Sequence, residues 1–488
     1  MGARTGKEFL EGLRTTDREV WMGSERIDDV TSHPSLAGAA RALADVFDRQ
    51  HEFPDDCLMP DPETGEPINV SHMIPRSVED LKRRHRGLAR ISESTVGLMG
   101  RTPDYMNVTF AGFAGERGAW LGPDGRNEEG VANLQAFQKL LARQDISLTH
   151  TIIHPTIDRV QDASFADNPV PLHKVADTEL GIVVRGGRIL ATLAPFADEI
   201  AVYPGHPLPR DATDAHALSF SIPMDTPGLI FLCRDSASTP GADPFDRPLS
   251  YRFDEQDAFV IFDDVEVPRE RLFIDGDKDV YSGVMLPTAW WPNIMQQTTI
   301  RALTKLEFAY GLASLMAEAV NDTTPGTLEM LGELLGYVEI TRSAVLLAEE
   351  HAYDRGEGVW FPDGRPLHPM RAQLAVWFPR VNEILIAIGS HNLLATPSRA
   401  MLDDGRLRPL LEEFLHGANG VDAERRAALY RLAWDFVGSN LGSRNDLYER
   451  NYLASARTNR IGGHMMYSDR TRAYELVDGI LAAGRTEG

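Results

Sequence analysis

The sequence predicts a mainly α-helical protein with a β domain set into its middle, on three observations. Up to about residue 145, apolar residues recur at helical spacing between loops. From Leu148 to Pro268 the texture changes to short aliphatic and β-branched runs punctuated by Gly and Pro. From about Pro292 onward come segments of roughly 20 residues or more with broad apolar faces, the pattern of a helical bundle. We therefore expect a helical N-terminal domain over 1–147, a β-barrel or sandwich over 148–278 and a four-helix bundle over 279–488.

Taken in order, the clearest N-terminal helix is "SVEDLKRRHRGLARISE". Ser77 and Asp80 resemble a capping box, and Val78, Leu81, Leu88 and Ile91 keep helical spacing. The helix should run from about Val78 toward Val96, with Gly97 and Gly100 able to end it and Pro103 unable to continue it. That delivers "GRTPDYMN", Gly100 to Asn107, at its C-terminal end. In the middle, "GIVVRGGRILATL" reads as a hairpin turning at Arg185, Gly186 and Gly187. "EIAVYP", "ALSFSIPM", "GLIFLCRD" and "DAFVIFDDVEVP" supply further strands. The C-terminal helices carry more apolar surface than one bundle needs, which points to cover by another subunit.

Composition excludes several classes. The 488 residues carry 49 Lys and Arg against 72 Asp and Glu, a net charge of −23, which repels nucleic acid and anionic membrane. Two cysteines, Cys57 and Cys233, with no CxxC pair, offer neither a disulfide framework nor a zinc knuckle, and the cytoplasm is the expected compartment. The charged N-terminus does not read as a signal peptide, and no apolar run reaches the ~18 residues of a membrane helix. Neither GxGxxG after a strand nor GxxxxGK[ST] occurs, so a Rossmann nicotinamide site and a P-loop are not expected.

Four segments can carry chemistry. Arg101 is a permanent cation with a rigid fork of donors suited to an anionic oxygen, and Tyr105 adds a donor four residues on; the plainer reading is a helix end whose carbonyls attract Arg101. In "LTHTIIHPTIDR" the β-branched run between His150 and His154 favours an extended segment, with the two imidazoles on one face. A metal pair would need ligands that the sequence does not supply, so no metal is expected; a hydrogen-bonding or proton-transfer role for His150 stands beside a histidine satisfied by backbone. Thr192 lies near a strand end, where its hydroxyl serves either a ligand or the backbone. Gly442, Ser443, Arg444 and Asn445 form a donor-rich stretch after a helix, suited to phosphate or simply a helix-breaking turn.

Together, "EVWMGSERIDDVTSHP", "GRTPDYMN", "LTHTIIHPTIDR", "ATLAPFADE", "PLSYRFDEQDAFVIFDDVEVPRERLF" and "GSRNDLYERNY" resemble, in this order and across nearly the whole chain, the oxygenase component of the two-component flavin-dependent monooxygenases of the 4-hydroxyphenylacetate 3-hydroxylase family. The resemblance implies an acyl-CoA-dehydrogenase-like fold and a homotetramer, a dimer of dimers. It implies diffusible FADH2 from a separate NAD(P)H-dependent flavin reductase, O2 as co-substrate, and ortho-hydroxylation of a phenol through a flavin hydroperoxide. By the same resemblance Arg101, Tyr105 and His150 surround the phenolic oxygen. His150, Thr151, Ile152, Thr156, Ile157, Asp158, Arg159, Thr192, Gly442, Ser443, Arg444 and Asn445 contact the flavin, the last four across subunits. Gly205 and His206 belong to the loop "YPGHPLPRDATDAH", which falls where relatives bind the substrate tail, and Trp290 and Trp291 are candidates for the pocket wall. One departure is His154, where many relatives carry Asn.

Alternatives within the class are displacement of a halogen or nitro group and hydroxylation of a carrier-tethered, tyrosine-like phenol. Outside it stand an acyl-CoA dehydrogenase proper and an inactive flavin-binding scaffold. An iron–sulfur dehydratase of the same fold needs three cysteines, one more than the chain has.

Overall fold

The computed structural model describes residues 2–158, 165, 168–285, 290–467 and 470–483. Helices dominate before Leu148 and after Trp290, and most strands lie between them. A six-stranded sheet runs, edge to edge, through Glu25–Arg26, Glu19–Met22, Leu229–Cys233, Asp257–Pro268, Gly181–Thr192 and His173–Asp177. Its Glu19–Met22 strand comes from the N-terminal region and pairs in parallel with Leu229–Cys233, so the helical segment is tied into the sheet. A four-stranded sheet follows the order Leu272–Asp275, Leu218–Pro223, Glu199–Val202 and Leu148–Thr151.

The edge strand Leu148–Thr151 lies parallel to Glu199–Val202, with His150 opposite Ala201. Two hydroxyls stitch it to the other sheet: Thr149 Oγ1 donates to Thr192 O at 2.6 Å and Thr151 Oγ1 to Ile189 O at 3.3 Å. One hydrophobic core extends from helices to sheets, with Phe110, Phe137 and Phe273 packed ring to ring at 5.1–5.9 Å. In the C-terminal part, Trp290–Ala319 packs on Pro325–Glu350 and Gly364–Gly389, and it reaches across to Val78–Ser94 and Pro103–Gly115. Leu335, Ile340, Leu346 and Leu347 on Pro325–Glu350, with Val376 and Ile386 on Gly364–Gly389, remain exposed. Among the described residues, no helix is long and apolar enough to cross a membrane.

Three local expectations are corrected. "GIVVRGGRILAT" is one 12-residue strand, Gly181–Thr192, not a hairpin. Gly186 takes a φ of 130° within it, where an added Cβ would meet Pro171 O at 2.7 Å, and the pairing with Asp257–Pro268 shifts register there without the chain turning back. The run was ambiguous because a glycine pair marks a turn or a close backbone approach equally well. Pro103 does not merely follow a helix: it opens the next one, Pro103–Gly115, at the position where its missing N–H costs nothing. Gly442 to Asn445 are not a turn either but the first part of the helix Asn440–Asn451, whose N-cap Ser439 accepts from Gly442 N–H at 3.1 Å.

Candidate active site

"GRTPDYMN" is a junction between two helices. The Val78–Ser94 helix ends, Val96 and Gly97 take left-handed φ of 48° and 68°, and the Pro103–Gly115 helix begins. An added Cβ on Gly97 would lie 2.5 Å from Arg301 O, so a glycine lets the turn press against the Trp290–Ala319 helix. Arg101 leaves this turn with its backbone N–H donating to Glu255 Oε1 at 2.5 Å. Its guanidinium carbon lies 3.9 Å from the ring centre of Tyr105, 4.6 Å from Tyr452 and 5.9 Å from Tyr448. Burial opposes its charge, and the phenols of Tyr105, Tyr448, Tyr452 and Tyr203 favour it; the net effect is upward, so Arg101 stays a cation. The residue is half-buried, but its Nη1 is shielded from solvent and has no hydrogen-bond partner.

Tyr105 stacks on His150 at 5.5 Å, and His150 stacks on Tyr203 at 5.4 Å. Burial, and then the neighbouring Arg101 charge, push His150 well below the usual histidine range, so its imidazole is neutral. Arg101, Tyr105 and His150, from a loop, a helix and a strand, therefore form one cluster. His154 does not join it: its ring packs on Phe165 at 4.8 Å, and burial with the nearby Arg188 lowers its pKa to about 2.

Thr192 and Arg444 meet through a residue that sequence reasoning missed. Thr192 Oγ1 donates to Asp257 Oδ1 at 2.9 Å, and Arg444 grips the same carboxylate through Nε and Nη2 at 2.9 and 2.6 Å. Arg444 Nη1 also reaches Glu255 Oε2 at 2.8 Å, whose other oxygen holds the Arg101 backbone. Burial works against the Asp257 charge, but Arg444 and Arg234 outweigh it and lower its pKa. The signal was the acid-rich entry "FDEQDAF" to an otherwise apolar strand. Arg444 thus turns inward within its own chain. Of its expected companions, Gly442 and Asn445 are buried and Ser443 is exposed.

On the segment expected to face the flavin, Thr151 is buried, Ile152 half-buried, and Thr156, Ile157 and Asp158 exposed; Arg159 lies outside the described residues. Ile153 and Ile157 are 45% and 72% exposed, and Ile153 bridges to Ile189, itself 37% exposed. This uncovered aliphatic strip, running toward the Thr192 end of its strand, suits the planar apolar ring system of FAD.

Gly205 and His206 line a cavity of about 920 Å³, together with Trp291, His368 and Arg371. Gly205 sits where an added Cβ would touch Ile152 at 3.0 Å, so the tail-side loop abuts the expected flavin segment. The side chain of Trp290 lies outside the described residues. Tyr448, Tyr452 and Arg371 were not picked out from sequence: "GSRNDLYERNY" contains both tyrosines, while Arg371 shows only as a charge in an apolar helix.

Comparison with known proteins gives two matching family profiles, 4-hydroxyphenylacetate 3-hydroxylase N terminal over residues 5–274 and C terminal over residues 285–482. A 4-hydroxyphenylacetate 3-monooxygenase oxygenase component from Thermus thermophilus is 37% identical over 450 residues, 92% of this chain and 91% of that protein. The oxygenase component of a 4-nitrophenol 2-monooxygenase from Rhodococcus is 32% identical, covering 92% of this chain and 85% of that one. A crystal structure of the oxygenase component of 4-hydroxyphenylacetate 3-monooxygenase, complexed with FAD and 4-hydroxyphenylacetate, superposes with a TM-score of 0.91 at 33% identity, covering 99% of each chain.

Proposed function

The chain belongs to the 4-hydroxyphenylacetate 3-hydroxylase family, and on that premise we propose that Arg101, Tyr105 and His150 hold a phenol for ortho-hydroxylation. The protein is a flavin-dependent monooxygenase, the oxygenase component of a two-component system, with an acyl-CoA-dehydrogenase-like fold. Reduced FAD, when bound, supplies the two electrons by which one oxygen atom of O2 becomes water and the other is transferred. Thr192, the aliphatic strip at Ile153 and Ile157, and the N-terminal turn of the Asn440–Asn451 helix are the residues suited to hold it.

One observation carries the reading: an arginine boxed by tyrosine rings, with a buried, unused donor beside a neutral imidazole. A phenol oxygen accepting from Arg101 Nη1 is drawn toward its anion, which raises electron density at the ortho carbon. His150, being neutral, accepts the phenolic hydrogen bond without a second charge. Tyr105 fixes the Arg101 plane from below and closes the site to water, which would otherwise let peroxide escape unused. The electron-supplying partner is a flavin reductase. The assembly is a homotetramer on the family resemblance, and the exposed leucines on Pro325–Glu350 support association between copies.

Purified protein mixed with reduced FAD, O2 and a panel of phenols tests the reading by catechol formed per O2 consumed. Arg101→Ala should lower that ratio about tenfold or more while O2 consumption continues as hydrogen peroxide. Equal loss of both would assign Arg101 to the flavin instead. A protein purified yellow and bleached by an acyl-CoA would point to a dehydrogenase.

A further inference from the structure

Arg371 stands on the Gly364–Gly389 helix, in the wall of the 920 Å³ cavity, and none of the chemistry above uses it. Its Nη2 donates to Leu453 O at 3.1 Å, its guanidinium lies 5.7 Å from the Trp291 ring centre, and Nε is buried with no partner. Among the described residues no carboxylate lies within ion-pair distance of it. Other arginines near the site differ: the buried Arg301 is paired with Glu449 at 2.7 Å, and the half-buried Arg444 with Asp257 at 2.6 Å and Glu255 at 2.8 Å. Burial works against the Arg371 charge, and the groups that favour it are the phenols of Tyr105 and Tyr452, the same rings that box Arg101. Arg371 therefore looks on one side to the phenol cluster and on the other to open space.

The rest of the wall has the same sign. Among the described residues, Arg460 has no acid within ion-pair distance, and the one acid on the wall, Asp363, is held by Arg365 at 2.7 Å. In a chain of net charge −23, a cavity with unneutralised arginines concentrates anions. Its volume lies within the ~300–1,000 Å³ range of small-molecule sites.

We propose that Arg371 binds a carboxylate on the tail of the phenolic substrate and so decides which phenols enter. The proposal rests on the phenol reading above. The guanidinium, which lines the cavity with the indole of Trp291 beside it, donates to the carboxylate from the cavity wall. The tail's charge is thus read by a side chain of the helical bundle, while Gly205 and His206 of the loop form the opposite wall.

The test compares 4-hydroxyphenylacetate with its neutral isostere 4-hydroxyphenylacetamide in wild type, Arg371→Met and Arg371→Lys. Binding is read by calorimetry without cofactor, and kcat and KM with reduced FAD and O2. Wild type should prefer the acid about tenfold or more, and Arg371→Met should erase the preference by weakening the acid alone, leaving the amide within about twofold. Arg371→Lys should keep part of it, the change should lie in KM rather than kcat, and rising salt should weaken the acid but not the amide in wild type. Equal weakening of both ligands by Arg371→Met, or no preference in wild type, overturns the proposal. Acid binding that depends on Arg371 without any catechol upholds it and overturns the hydroxylation reading; catechol formed equally from both ligands in all three proteins does the reverse.

Discussion

Gly100 sits against a ring. An added Cβ would lie 2.1 Å from the Tyr448 hydroxyl, which is buried and has no hydrogen-bond partner. Gly100→Ala should therefore cost ~1–3 kcal/mol by forcing Tyr448 out of the box around Arg101, measured as a drop in denaturation midpoint. Tyr448→Phe, by contrast, removes an unsatisfied polar atom and should leave stability unchanged or raised. Histidine sets a pH limit. His150 and His154 both have folded pKa values below the unfolded 6.5. Their contribution is complete above that pH and is lost as pH falls below it, because protonation favours the unfolded chain. His154→Asn should flatten the acid limb of a stability–pH curve, while Arg101 keeps its charge throughout. At this scale Arg101, Tyr105 and His150 were legible because each stands in a compact motif. Tyr448, Tyr452 and Glu255 were not, because they reach Arg101 from more than 150 positions away in sequence, and no local pattern announces such a meeting.

Between elements, the Asn440–Asn451 helix is fastened to Trp290–Ala319 by a buried group of three. Glu449 accepts from Arg301 at 2.7 and 3.0 Å and from Lys305 at 2.8 Å. Burial raises the Glu449 pKa, but the two cations more than reverse this and hold it at about 2, below the ordinary 4.5. The stabilisation is thus present above about pH 4.5 and disappears as pH falls toward 2. At neutral pH, Glu449→Gln should destabilise by ~3–5 kcal/mol, since two buried cations lose their counter-charge; urea titration at pH 7 checks it. Helix Val78–Ser94 was readable from its cap and spacing. The Gly181–Thr192 strand read as a hairpin turning at Arg185–Gly187, and Gly442 to Asn445 read as a donor-rich stretch or a turn rather than a helix start, because glycine and serine serve turns, bulges and helix starts alike. Only the packing partner selects among them.

For the whole molecule, the α–β–α order followed from hydrophobic period alone, whereas the tie of Glu19–Met22 into the central sheet had no period to reveal it: the strand is four residues long. The uncovered leucines of Pro325–Glu350 predict association. Leu346→Glu should convert the tetramer expected in light scattering to smaller species, while the catechol yield tells whether the isolated protomer still works. One feature reaches further. Because the Glu255–Asp257 pair joins the Arg101 backbone, the Thr192 hydroxyl and Arg444, the proposed phenol side and the proposed flavin side share a single support. Changes there are epistatic by construction: a substitution on one side is felt on the other. The cavity wall at Gly205, His206 and Arg371 has no such tie to the pair. Directed evolution toward new phenols should accumulate its accepted substitutions along that wall and leave the wired end alone.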